Sequence, residues 1–258
     1  MSGGVDSSVA AHLLKRDGLE VEGVSFILWE ARNRSNFTAC CSLDATEGAA
    51  RTAESLGIAH AAVDVREEFI EKVIEPFVDA YTKGMTPNPC ILCNRHIKFP
   101  FLLREAEKRG ASHIATGHYA RTKKDALTRL LLKGLDPKKD QSYVLYVLNP
   151  VELERLILPL GNYQKKDVRE LARSLRLEAA DRPESQEICF IEDRNYAGFI
   201  EKLLPGAGEP GPIVDMRGKT LGTHKGIFRY TIGQRKGLGI SSLEPHYVVK
   251  IDTAGNTV

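Results

Sequence analysis

The sequence predicts an α/β protein, a doubly wound parallel sheet followed by a small β-rich module, on three observations. Short apolar runs alternate with helical stripes through the first part of the chain. A dense string of glycines and serines stands directly before the first of those helices. Beyond Pro205 the texture changes to short apolar pieces broken by glycine.

Each element follows from local pattern. Val9, Ala10, Leu13 and Leu14 recur at helical spacing up to Gly18, a residue suited to a helix C-terminus. Val21 to Leu28 is an apolar run of strand length. Ser42 is placed to cap a helix whose inner face is Ala49, Ala50, Ala53 and Leu56, ended by Gly57. His60 to Val65 reads as a strand. Phe69, Val73, Phe77 and Tyr81 form one helical stripe, expected to bend at Pro76. Ser112 to Gly117 reads as a further strand, and Ser142 to Leu148 and Val168 to Leu177 as helices. Pro205 to Pro212 has the composition of a linker, which divides the chain into domains 1–204 and 205–258. After it, Thr220 to Thr223, Gly226 to Thr231 and His246 to Ile251 read as short β pieces.

Composition narrows the class. Hydrophobic residues make up 42% and charged residues 27%, ordinary values for a globular protein. A net charge of +2 gives no global nucleic-acid signal, so any such surface must come from local clustering. No apolar run reaches membrane-spanning length and no leader pattern opens the chain, which makes the cytoplasm the expected location and a membrane partner unexpected. Cys40, Cys41, Cys90, Cys93 and Cys189 are odd in number and unevenly spread, unlike a disulfide framework.

Ser2-Gly3-Gly4-Val5-Asp6-Ser7-Ser8 precedes an apolar helix. Paired glycines let backbone approach a ligand, and amides and hydroxyls at a helix start aim donors at an anion. No lysine follows the glycines, so this is not a Walker A loop. The bland alternative is a solvent loop with a serine cap, which a motif this long and dense disfavours. The string resembles the pyrophosphate loop of the PP-loop ATP pyrophosphatase superfamily, whose members adenylate a carbonyl or carboxyl oxygen. That resemblance implies ATP and Mg2+ as cofactors.

Asn88 and Pro89 read as the cap and first residue of a helix that sets Cys90 and Cys93 three apart near its positive end. That setting favours the thiolate, whereas a single cysteine is usually a small buried hydrophobe. Cys189, in the loop Glu184 to Ile191, would alone read as core. Further motifs follow in order: Ile97-Lys98-Phe99, Thr116 to Arg121, Lys139-Asp140-Gln141-Ser142-Tyr143, and Tyr230 to Gly239. Together they resemble the tRNA 2-thiouridylase family over nearly the whole chain.

The resemblance implies an ATP-dependent sulfurtransferase that exchanges a wobble uridine's C2 oxygen for sulfur. Cys93 would be the nucleophile and Cys189 the persulfide carrier. Ser2, Gly3, Gly4, Val5, Asp6, Ser7, Ser8, Phe26 and Gly117 would line the nucleotide. Asn88, Pro89, Cys90, His118, Lys139, Asp140, Gln141, Arg235 and Lys236 would face the target base or tRNA. Implied partners are tRNAs with anticodons of the Lys, Glu and Gln type and a sulfur donor, such as a cysteine desulfurase or sulfur carrier.

Two departures stand out. A methionine is common in the family where this chain has Phe26, and an aspartate where it has Cys90. Three thiols, Cys90, Cys93 and Cys189, could therefore hold a [4Fe–4S] cluster. Zinc, with His96 added, and a metal-free persulfide or disulfide route are the other readings. Cys40 and Cys41 carry no assignment beyond incidental thiols. From Met216 to Ile240 the chain has Arg217, Lys219, Lys225, Arg229, Arg235 and Lys236, with Phe228 and Tyr230 interleaved and no acid. Such a single-signed stretch suits phosphate contact, although many charge runs are only solvated faces. At the ends, the strand expected before the loop is missing, and the chain stops where a C-terminal β-barrel is expected. The competing readings are another PP-loop ATP pyrophosphatase, or a truncated tRNA-binding or redox protein without turnover.

Overall fold

A computed structural model describes residues 1–29, 43–126, 128–181, 188–191, 195–241 and 244–258. Ser42, Cys40, Cys41 and most of the loop before Cys189 lie outside the described residues. The elements run α1 (Val5–Arg16), β1 (Glu22–Ile27), α2 (Leu43–Leu56), β2 (Ala59–Asp64), α3 (Arg66–Phe69), α4 (Glu75–Thr82), α5 (Pro89–Cys93) and α6 (Phe99–Lys108). They continue with β3 (Ile114–Ala115), β4 (Ala120–Lys124), β5 (Arg129–Lys133), α7 (Pro150–Glu154), β6 (Leu156–Ile157), α8 (Lys165–Ser174), α9 (Tyr196–Leu203), β7 (Gly211–Val214) and β8 (Thr220–His224). Among the described residues no helix is long and apolar enough to cross a membrane.

The chain forms two compact units. One comprises Met1–Lys72 and Cys90–Phe190, the other Val73–Pro89 and Ile191–Val258. In the first, β1 pairs with β2 in parallel, from Glu22 opposite Ala59 to Ile27 opposite Asp64. β3 pairs with β6, also in parallel. Parallel pairs separated in sequence by helices are the α/β architecture that the alternation predicts. An antiparallel hairpin, β4 with β5, joins them unannounced. Lysines and arginines interrupt its alternation because its outer face is solvated.

The predicted stripe of α1 is its core face: Val9 and Leu13 pack with Tyr119, Leu160, Val168 and Ala172, which brings α8 against α1. Burying each such side chain stabilises the fold by about 1.5–3 kcal/mol. The helix closes at Gly18, where the amides of Gly18 and Leu19 donate to the carbonyls of Lys15 and Leu14. On α2 the inner face is Ala45, Ala49, Thr52 and Ala53, while Ala50 faces solvent. Thr52 is admitted there because its hydroxyl donates to the Gly48 carbonyl at 2.9 Å.

Two helical runs contain a π turn, Ile70–Ile74 and Asn94–Lys98. Each is followed by a proline within the next helix's first turn, Pro76 and Pro100. Proline has no N–H to donate and its ring crowds the carbonyl four residues back. Those carbonyls belong to Lys72 and His96, inside the two π turns, where the wider turn accommodates them. The expected bend at Pro76 is therefore a change of helix type. Ser142 to Leu148 is not a helix: a 3-10 turn covers Ser142–Val144, and Asn149 then starts α7 with a capping box closed by Glu152. Pro150 prevents the earlier segment from running on.

In the second unit β7 and β8 are antiparallel, and Val258 adds hydrogen bonds to Pro212 and Val214. Ile213, Tyr230, Leu238, Val248 and Val258 form its core. Gly226 to Thr231 contains a 3-10 turn rather than a strand, and His246 to Ile251 forms no regular element, though Val248 accepts from the Gly233 amide and donates to the Gln234 carbonyl.

Candidate functional site

The glycine–serine loop turns into α1 as predicted, with Gly4 as the N-cap. Gly3 has φ +67°, and a Cβ on it would stand 2.3 Å from the Ala45 carbonyl oxygen, so glycine is required there. Gly4 has no side chain to cap the helix, which leaves first-turn amides for an anion. The hydroxyls behave differently from expectation. Ser7 and Ser8 Oγ both donate to the Gly4 carbonyl, at 3.1 and 2.9 Å, and Ser7 Oγ accepts from the Ser2 amide at 3.1 Å. They brace the turn, and the backbone presents the donors.

Gly117 follows β3 and meets this loop directly. A Cβ on Gly117 would lie 2.8 Å from the Asp6 carbonyl carbon and 2.9 Å from the Ser7 amide nitrogen. Phe26 sits near the carboxyl end of β1, edge-on to Phe101 with centroids 6.4 Å apart. Carboxyl ends of parallel strands are where ligands bind in such folds.

Asp6 and Tyr119 connect the loop to the rest of the unit. The Asp6 carboxylate accepts from Tyr119 Oη at 2.9 Å and from Lys165 Nζ at 2.6 and 2.8 Å. Tyr119 in turn exchanges two hydrogen bonds with Gln141: its amide donates to the Gln141 side-chain Oε1, and the Gln141 amide donates to its carbonyl. Asp140 accepts from the Gly134 amide at 2.8 Å and from Ser142 Oγ at 2.9 Å. Burial would raise its pKa, but these donors outweigh burial and hold it low. Asp140 and Gln141 thus shape the loop, leaving Lys139 as its partly exposed cation.

His118 stands between Gly117 and Tyr119 in the chain. Its Nδ1 is 2.8 Å from Thr116 Oγ1, and its ring stacks on Phe99 at 6.1 Å. Burial, and secondarily the charge of Lys98, pushes its pKa down to about 3. His118 is therefore neutral near pH 7. Between about pH 3 and 6.5 the unfolded chain binds more protons at this residue, so stability is lost as pH falls below 6.5. The loss reaches about 2 kcal/mol by pH 5. His118→Gln should flatten that acid limb in urea unfolding between pH 7 and 5; parallel losses in both proteins would refute it.

Pro89 is buried at the start of α5 and Asn88 is exposed before it. Cys90 is exposed in the first turn, whereas Cys93, one turn on, is 5% exposed. Beside it Asn94 donates Nδ2 to the Val144 carbonyl at 2.9 Å, while its buried Oδ1 has no partner among the described residues. Cys189 is half-buried and followed by Phe190, which packs edge-on to Phe69 at 5.7 Å. Among the described residues no three His, Cys, Asp or Glu side chains stand close enough to share a metal ion.

The basic stretch of the second unit divides in two. Arg229 pairs with Glu201 and lies 5.5 Å from the Phe228 ring centre. Phe228 and Tyr230 are buried, so the interleaved aromatics are core. Arg235 and Lys236 are exposed on a loop braced by Gln234, which accepts from the Thr231 amide at 2.9 Å and donates to the Lys236 carbonyl at 3.0 Å. Pattern reading missed Tyr119, Asn94 and Lys165. For Lys165 a signal exists: two lysines in the first turn of α8 run against the helix dipole.

Comparison with known proteins identifies the family. Residues 1–193 match the family model described as the tRNA methyl transferase HUP domain, and residues 197–258 the tRNA methyl transferase PRC-barrel domain. The tRNA-specific 2-thiouridylase MnmA 2 of Thermoanaerobacter sp. (strain X514) is 53% identical over 263 residues, covering 100% of this chain and 72% of that protein. The tRNA-specific 2-thiouridylase MnmA of Clostridioides difficile (strain 630) is 48% identical over 261 residues, with the same coverage. By full coverage at this identity and by both family models, the chain belongs to the tRNA-specific 2-thiouridylase family.

Proposed function

We propose that this chain thiolates tRNA: with MgATP it adenylates the C2 oxygen of the wobble uridine and replaces that oxygen with sulfur. The observation that carries the reading is the backbone cradle of Ser2 to Ser8 walled by Gly117, in a chain of this family. A carbonyl oxygen leaves poorly from a pyrimidine. Attack of that oxygen on the α-phosphate expels pyrophosphate, and the oxygen then departs as AMP. Sulfur enters from a persulfide on Cys189, whose terminal sulfur attacks C2. The Cys93 thiolate attacks Cys189 Sγ and releases the thiocarbonyl, leaving a Cys93–Cys189 disulfide that an external thiol resets. The persulfide comes from a cysteine desulfurase or sulfur carrier, and the substrates are tRNAs of the Lys, Glu and Gln anticodon type. This chemistry belongs in the cytoplasm, where such tRNAs are found.

Asn88, Pro89, Cys90, His118 and Lys139 face the target base or tRNA in this reading, with Asp140 and Gln141 shaping the loop. Arg235 and Lys236 contribute phosphate contacts. Mass spectrometry of anticodon nucleosides, after incubation with tRNA, MgATP and a persulfide donor, should show 2-thiouridine only when protein and ATP are both present. Thiouridine formed without ATP would overturn the adenylation step. Arg235→Ala with Lys236→Ala should weaken tRNA binding and reduce the slope of log affinity against log salt by about one per lost contact. An unchanged slope would return both residues to a solvated face.

A further inference from the structure

The phosphate-binding loop contains no cation, and the nucleotide it is proposed to bind is a polyanion. The structure delivers one from 159 residues away in sequence: Lys165 Nζ grips both oxygens of Asp6, in the first turn of α1, at 2.6 and 2.8 Å. The side chain of Lys165 is 12% exposed against 35% for Asp6. Its ammonium also stands 5.5 Å from the Tyr119 ring centre, and Tyr119 Oη shares the same Asp6 oxygen. The backbone is fixed as well, since the Lys165 amide donates to Asp136 Oδ2 at 3.0 Å. That bond is the main cause holding the Asp136 pKa low.

Stability does not explain this placement. A lysine in the first turn of α8 faces the positive end of the helix dipole, and desolvating an ammonium costs more than leaving it in water. Asp6 offsets that cost, and in doing so it keeps Lys165 beside the amides that open α1. Resting on the nucleotide reading above, we propose that Lys165 is the phosphate-binding cation of this site. An ammonium has three N–H donors in a rotatable head, so it can keep hold of Asp6 while donating to a phosphate oxygen. It supplies from α8 the charge that a Walker A loop carries within its own sequence.

The test compares MgATP and adenosine binding, by calorimetry and ligand-observed NMR, in wild type, Lys165→Met, Lys165→Arg and the double variant Asp6→Asn with Lys165→Met. Lys165→Met should weaken MgATP at least tenfold and leave adenosine within twofold. Lys165→Arg, which keeps the charge, should stay within a few-fold of wild type and guards against a folding defect. The double variant should remain as weak as the single one, because what is lost is a cation. Recovery of MgATP affinity in the double variant would show that Lys165 only cancels Asp6, and the assignment would fall. It would fall equally if Lys165→Met bound MgATP as wild type does, or lost MgATP and adenosine in parallel. Failure of wild type itself to bind MgATP would instead overturn the nucleotide reading, and this inference with it.

Discussion

Gly117→Ala should lower ATP-dependent thiolation by more than tenfold while leaving a folded protein. The added methyl would sit 2.8–3.0 Å from backbone atoms of Asp6 and Ser7, which cannot step aside as a flexible side chain can. Overpacking of this kind costs about 1–3 kcal/mol. Relief must come from shifting either the β3 end or the first turn of α1. A shift of that turn misdirects the amides on which nucleotide binding depends, so the defect should be mainly in the KM for ATP. Thermal melting would separate the local effect from global unfolding. A Gly117→Ala variant with wild-type KM and rate would show that this contact is packing alone.

The second large effect is expected at Cys93. Cys93→Ser keeps the size and shape of a side chain that is 5% exposed, so the fold should tolerate it. Replacing a nucleophile that acts as part of a unit commonly costs about a thousandfold or more. Here 2-thiouridine should fall below detection in single turnover, while pyrophosphate release on mixing with tRNA and ATP persists. That split separates sulfur delivery from activation. Substantial thiolation by the serine variant would remove Cys93 from the reaction.

Much of this was legible in sequence because it depends on local pattern. The glycine–serine string, the α1 stripe and the alternating strands depend on neighbours a few residues apart, and the structure places them where periodicity does. What was not legible depends on contacts between distant segments. Ala50 and Thr52 exchange faces on α2 because Thr52 satisfies its own hydroxyl within the helix, which composition alone does not reveal. The β4–β5 hairpin hid behind its charged outer face. Phe228 and Tyr230 looked like a nucleic-acid surface among cations, yet the second unit is small and buries both of them. Asp6 with Lys165 is the extreme case, a pair joined only by the packing of α8 on α1.

The π turn after Cys93 has a consequence for how this segment tolerates insertion and deletion. A π turn holds one residue more than the α turn it replaces, and one residue is about 100° around the helix axis. Removing a single residue from Asn94–Lys98 would let the run close as α-helix, yet it would swing Cys93 by about that angle relative to α6. The thiol would leave its buried position and Asn94 its hold on the Val144 carbonyl. Substitutions at the exposed Arg95 and His96 should therefore be mild, whereas deleting either should be as damaging as losing the cysteine. The length of this stretch, more than the identity of its exposed residues, is what aims the sulfur.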